Sequence, residues 1–175
     1  EFIQSNIEKD HSNLTSLLDY QNLYASLILI LLFLKSDLAS GFLDISIIAV
    51  QIAFDSTVDQ FYIVALNIIN QLTKFYNEDT IVTQVDFTSY LPICFSFLES
   101  ETEMLRNESA TTIKKLIKKI YLISQNMPNT NSNYDDFNIM DCVSEIIRII
   151  ESTTSTPIIT SCFNSLDDMI VYIKD

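Results

Sequence analysis

A chain of 175 residues with a single glycine, Gly41, has few folds open to it. Sandwiches and barrels turn back on themselves many times, and their tight turns draw on Gly and Pro. Parallel α/β sheets need glycine where strands pass into helices and where backbone approaches a ligand. One glycine and three prolines (Pro92, Pro128 and Pro157) supply neither. Helices closed by Asn, Asp, Ser and Thr caps make no such demand. The length and an apolar share of 48% allow one domain with a sizeable core. The expectation is therefore an all-α domain over residues 1–175. The chain opens on Glu1-Phe2 rather than Met, which reads as part of a larger protein.

Apolar periodicity divides the chain. Phe2, Ile3 and Ile7 suggest a short leading helix. A helix from Leu14 to Leu34 ends in the run Leu27–Leu34, apolar on every side, and such a helix is usually covered all round. Asp37 would cap the next, with Phe42, Ile45, Ile48, Ala49 and Ile52 at helical spacing. Asp55-Ser56-Thr57 is a capping turn before a helix over 58–76. Asp86 precedes a helix over 87–98, with Pro92 in its first turn, where a missing N–H costs nothing. A long helix over 104–125 points Leu105, Ala110, Ile113, Leu116, Ile117, Ile120 and Leu122 inward. Residues 126–136 (NMPNTNSNYDD) form the clearest loop, expected to be mobile. A helix over 137–150, capped by Asp135-Asp136, and a last one opening near Pro157 complete the chain.

The helices fall into pairs, each a shorter helix, a polar turn and a longer helix. Residues 90–122, YLPICFSFLESETEMLRNESATTIKKLIKKIYL, carry the pattern most fully. Leu91-Pro92 opens a helix, Ser100–Glu103 is an acidic turn, Arg106 follows early in the second helix, and Ala110 is small. This stretch resembles an armadillo or HEAT-type repeat. Small residues recur at Ala25, Ala65, Ala110 and about Thr160, in steps of 40, 45 and 50 residues, near the 40–47 of those families. A small side chain lets neighbouring helix axes approach closely. The resemblance implies a right-handed stack of about four helix pairs, an armadillo/HEAT-like α-solenoid. An irregular helical bundle is the alternative. The Trp and Asn ladder of nuclear-import armadillo receptors is missing, since the chain has no Trp.

A formal charge of −13 repels nucleic acid and anionic membrane and favours partners with a basic segment. The run Leu27–Leu34 is too short to span a bilayer. Cys94, Cys142 and Cys162 lie in apolar stretches without metal-ligand spacing. An odd number of buried thiols fits a reducing intracellular compartment, cytoplasmic or nuclear.

Catalytic chemistry finds little to stand on. His11 is the sole histidine, and no nucleophile triad can be completed around it. One glycine excludes a glycine-rich phosphate loop. The pairs Asp135-Asp136 and Asp167-Asp168 lack a third carboxylate at DDxxD spacing, so neither a metal nor a cofactor is expected. Lys114, Lys115, Lys118 and Lys119 form the one basic cluster, with Lys115 and Lys119 on one helical stripe. In armadillo-like stacks the longer helices line a groove. Aligning Ala65 with Ala110 sets Asn70 against Lys115 and Lys74 against Lys119, with Asn67 on the same stripe as Asn70. Asn67, Asn70, Lys74, Lys115 and Lys119 are therefore the candidate partner-binding residues. The expected function is a non-catalytic scaffold or adaptor that captures a peptide or helix of a partner. A structural domain that packs against itself or the rest of a larger chain is the alternative.

Overall fold

The structure is a computed structural model, and it describes residues 2–7, 17–35, 42–75, 85–126, 134 and 137–173. Gly41, His11, Asp37, the Asp135-Asp136 pair and all but Asn126 and Tyr134 of the expected 126–136 loop lie outside them. Among the described residues all regular structure is helical. Eight α-helices run α1 (Phe2–Ile7), α2 (Leu17–Leu34), α3 (Leu43–Asp55), α4 (Asp59–Phe75), α5 (Leu91–Leu98), α6 (Glu103–Asn126), α7 (Ile139–Ser152) and α8 (Thr156–Ile173), with a 3₁₀ turn at Phe87–Tyr90. No helix among the described residues is long and apolar enough to cross a membrane. Two compact units divide the chain, Glu1–Phe75 and Tyr76–Asp175.

In the first unit α1 packs on α2 and α3, and α4 packs on both α2 and α3. Leu23, Leu27, Ile30 and Leu34 recur every three or four residues and bury one stripe of α2. Its other sides are not all covered, since Leu32 is 56% exposed. Almost every residue of α4 from Phe61 to Leu72 is buried or half-buried. Ser56 closes α3: its hydroxyl donates to Ala53 O at 2.7 Å and accepts from Val58 N at 3.4 Å. The Tyr62 hydroxyl donates to Ser56 O and fixes α4 to that turn. The expected capping turn at 55–57 is present.

In the second unit Asp86 caps the 3₁₀ turn by accepting from Thr88 N at 3.0 Å. Pro92 then sits in the first turn of α5, as its missing N–H requires. The single helix expected over 87–98 is thus a 3₁₀ turn followed by an α-helix. Helix α5 packs on α6, α6 on α8, and α7 on α8. The Ser109 hydroxyl donates to Cys94 O, a buried bond from α6 to α5. Leu105, Ile113, Leu116, Ile117, Ile120 and Ile123 bury the inner face of α6. Leu122, expected inward, is 38% exposed, because Ile123 takes the stripe that begins at Ile113 and Ile120. Helix α7 is capped by Asn138, whose side chain accepts from Met140 N at 3.0 Å. The cap therefore lies nearer the helix than Asp135-Asp136, because with an extended Asn138 backbone its side-chain Oδ1 meets the open first turn.

Each unit holds two short-then-long helix pairs, α1/α2 with α3/α4 and α5/α6 with α7/α8. In each, the longer helices pack on one another, α2 on α4 and α6 on α8. Ala65 and Ala110 are buried as their small size predicts. In α2 and α8 the buried small residues are one position later than expected: Ser26 rather than Ala25, and Ser161 rather than Thr160. Both are small, and Ser26 returns its hydroxyl to its own helix, while in α8 the buried Ser165 does so with the Ser161 carbonyl as acceptor. Ser26 donates to Asn22 O at 2.9 Å, and Ser165 donates to Ser161 O at 3.1 Å.

Candidate functional site

The expected binding residues lie on two helices, one in each unit. Asn67, Asn70 and Lys74 belong to α4, and Lys115 and Lys119 to α6. On α4 the i, i+3, i+7 spacing of 67, 70 and 74 sets them on one stripe, but their surroundings differ. Asn67 is half-buried, and its amide donates to Ile63 O at 2.9 Å, one turn back on its own helix. Asn70 is only 2% exposed. Its backbone carbonyl accepts from the Thr73 hydroxyl at 3.1 Å, while its Oδ1 has no hydrogen-bond partner among the described residues. Lys74 is exposed and donates to Gln71 Oε1 at 3.1 Å. Of the three, Lys74 is the side chain open to solvent.

On α6 the inward stripe forces the lysines to the flanks. Lys114, Lys115 and Lys119 are half-buried, each already interacting with another group, and Lys118 is exposed.

Arg106 has a role that the repeat-like stretch foreshadowed. It is 7% exposed, and its Nη1 donates to Ser100 O at 2.7 Å and to Glu101 O at 2.8 Å. The guanidinium thereby satisfies two carbonyls in the turn between α5 and α6, where backbone acceptors would otherwise lack partners. Arg106 also sets the start of α6, its own N–H bonding Thr102 O at 3.1 Å.

Two recesses escaped the reading of the sequence. In the first unit Tyr20, Gln21 and Tyr24 of α2 face Val58, Gln60 and Phe61 across a shallow apolar depression of about 420 Å³. The Phe61 ring lies 6.0 Å from that of Tyr20 and 5.9 Å from that of Tyr24. The i, i+4 spacing of the two tyrosines was a visible signal, but its aromatic partner lies some forty residues on. In the second unit Leu91, Pro92 and Phe95 face Phe137, Asp141 and Cys142 across a cleft of about 330 Å³.

The three thiols are buried. Burial pushes the Cys142 thiol up to about 12, with the nearby Asp141 charge adding to the rise. Burial likewise raises Cys162 to about 11, assisted by Glu99, and holds Cys94 higher still. Thiols held protonated are poor nucleophiles and poor metal ligands. Among the described residues no three His, Cys, Asp or Glu side chains converge as a metal would require. Comparison with protein-family models, with curated proteins and with solved structures returned no match.

Proposed function

We propose that the chain is a non-catalytic interaction scaffold, an armadillo/HEAT-like stack of helix pairs that captures a peptide or helix of a partner protein. One observation carries the reading. Within each unit a short helix precedes a longer one, and the longer helices of successive pairs pack together, α2 on α4 and α6 on α8. In each unit that arrangement sets two longer helices side by side, the element from which helical-repeat proteins build the faces that seat their partners. Arg106 and the buried Ala110 support the repeat reading, because each does a job that the pattern over 90–122 assigns it. Free thiols held protonated by burial fit an intracellular, reducing setting. The acidic charge favours a partner with a basic segment. Lys74, Lys115 and Lys119 would then meet acidic or phosphorylated positions on that partner.

The test is affinity capture with the full chain and with a variant carrying Lys115→Glu and Lys119→Glu. Circular dichroism confirms first that the variant keeps its helices. A partner held by this face is recovered with the native chain and lost with the variant. Equal recovery removes the lysines from the site, and a chain that captures no specific protein defeats the scaffold reading. Leu32, Ile48, Phe163 and Ile170, large apolar side chains in water, favour a second reading in which the domain packs against copies of itself. Sedimentation over a range of concentrations separates the two.

A further inference from the structure

The aromatic depression of the first unit has a chemistry that the lysine stripe does not explain. Phe61 is 3% exposed and makes its floor, while half-buried Tyr20 and Tyr24, 39% exposed, offer ring surface to solvent. The Phe61 ring lies at 36° to that of Tyr20 and at 19° to that of Tyr24. Rings so nearly parallel suit a flat group laid against them, whereas a box around a spherical ammonium needs walls at steep angles. Exposed Gln21 and Gln60 flank the rings with amides that both donate and accept. The depression is shallow and would leave a free small molecule largely in water. A side chain carried on a larger partner is held there by its neighbours as well.

Charge decides which flat group fits. The first turns of α2 and α4 border the depression, and a helix start carries about half a unit of positive charge. Asp19 in the first turn of α2 and Asp59 in that of α4 set a carboxylate against each. Counted over the described residues, the local sum is about one negative charge. The cations among the described residues of this unit are Lys35 and Lys74. Their backbone positions lie about 16 Å from Tyr24 and about 20 Å from Phe61 along the chain's helical rise. Both separations exceed the screening length of about 8 Å at physiological ionic strength. The local field therefore favours a cation, in keeping with the charge of −13 on the whole chain.

We propose that this depression seats an arginine side chain of a partner protein, its guanidinium laid on the Tyr20 and Tyr24 rings. The planar, weakly hydrated guanidinium stacks on aromatic faces, while an ammonium gives up more hydration for a poorer fit. The side-chain carbonyls of Gln21 and Gln60 can accept from its outward N–H groups. The inference rests on the scaffold reading for the source of the arginine, and adds which side chain the basic partner presents and where it lands.

Nuclear magnetic resonance titration of the full ¹⁵N-labelled chain tests it. The probes, at matched ionic strength, are a capped Ala-Arg-Ala peptide and the same peptide with citrulline or lysine in place of arginine. Citrulline keeps the flat head and loses the charge. The arginine peptide should shift amides over 20–24 and 58–61 saturably. The citrulline peptide should bind about two- to fivefold more weakly, the worth of a cation on an exposed ring, and the lysine peptide should also bind more weakly than the arginine one. Tyr24→Leu keeps apolar bulk and removes a ring face, so it should reduce the preference for arginine over citrulline. If circular dichroism shows that this variant has lost helix, the comparison of peptides on the native chain decides alone. No shift in these segments, citrulline or lysine bound as tightly as arginine, or a preference unchanged in the folded Tyr24→Leu chain each overturns the inference. A chain that takes the arginine peptide yet captures no protein defeats the scaffold reading and upholds the depression. One that captures a protein yet ignores the peptide does the reverse.

Discussion

Replacing Tyr134 by Phe removes one oxygen atom and leaves the ring in place. In the native chain that hydroxyl accepts from Phe87 N at 3.1 Å and donates to Val85 O at 2.8 Å, and the residue is buried. It thus satisfies two backbone groups in the segment that leads into α5. Phenylalanine can make neither bond. An orphaned buried group costs about 1–3 kcal/mol, so the pair should cost about 2–4 kcal/mol in all, with little cavity contribution. In urea this moves the midpoint of the unit carrying Tyr134 down by about 1–2 M at unchanged slope. The same hydroxyl makes a second, separable prediction. Burial raises it from near 10 to about 12, with the Asp86 charge adding to the rise and the bond from Phe87 N opposing it. The neutral form is the one the fold accommodates. Its stabilisation is fully present below pH 10 and is lost as pH rises toward 12, where the unfolded chain ionises and the native one resists. The stability gap between native chain and Tyr134→Phe should therefore narrow over that window, by at most about 2–3 kcal/mol. A midpoint shift below about 0.3 M, or a gap that stays constant from pH 9 to 12, would refute the reasoning.

Further outcomes are expected. Asn70→Leu, which replaces a buried amide whose Oδ1 lacks a partner, should be neutral or stabilise by up to about 1 kcal/mol; a loss above about 1 kcal/mol in thermal unfolding would mean that the amide is satisfied. Ile113→Ala should cost about 2–5 kcal/mol, since Ile113 is fully buried on α6, whereas exposed Lys118→Ala should change stability by less than about 0.5 kcal/mol. The three thiols should react slowly with a disulfide reagent at pH 8 and rapidly once urea unfolds the chain; fast labelling of the native protein would contradict their burial.

Much of the helical layout is written in punctuation. Pro92 and Pro157 mark first turns because proline is tolerated there and not deeper, and Ser56 closes α3 where a polar triplet interrupts apolar spacing. Finer positions depended on competition that one residue cannot report. The α7 cap fell to Asn138 over two aspartates upstream, since the choice rests on backbone angles at one residue. Phe87–Tyr90 reads as helix in either winding, and the 3₁₀ turn gives way to a separate α-helix with Pro92 in its first turn. The candidate site was legible as a stripe but not as an environment. Asn67 and Asn70 look equivalent at helical spacing, yet one is half-buried and returns its amide to its own helix while the other is buried.

The buried serines carry a consequence for how this protein can diverge. Ser26 and Ser165 bond only their own helices, so alanine can replace either without orphaning a neighbour. Ser109 differs, because its hydroxyl bonds a carbonyl on the adjacent helix, and alanine there would lose that tie between helices. Drift should therefore run freely between serine and alanine at two of these seams and be restrained at the third. A lineage can rewrite such seams repeatedly while every helix stays where it is, leaving descendants alike in shape and scarcely alignable in letters.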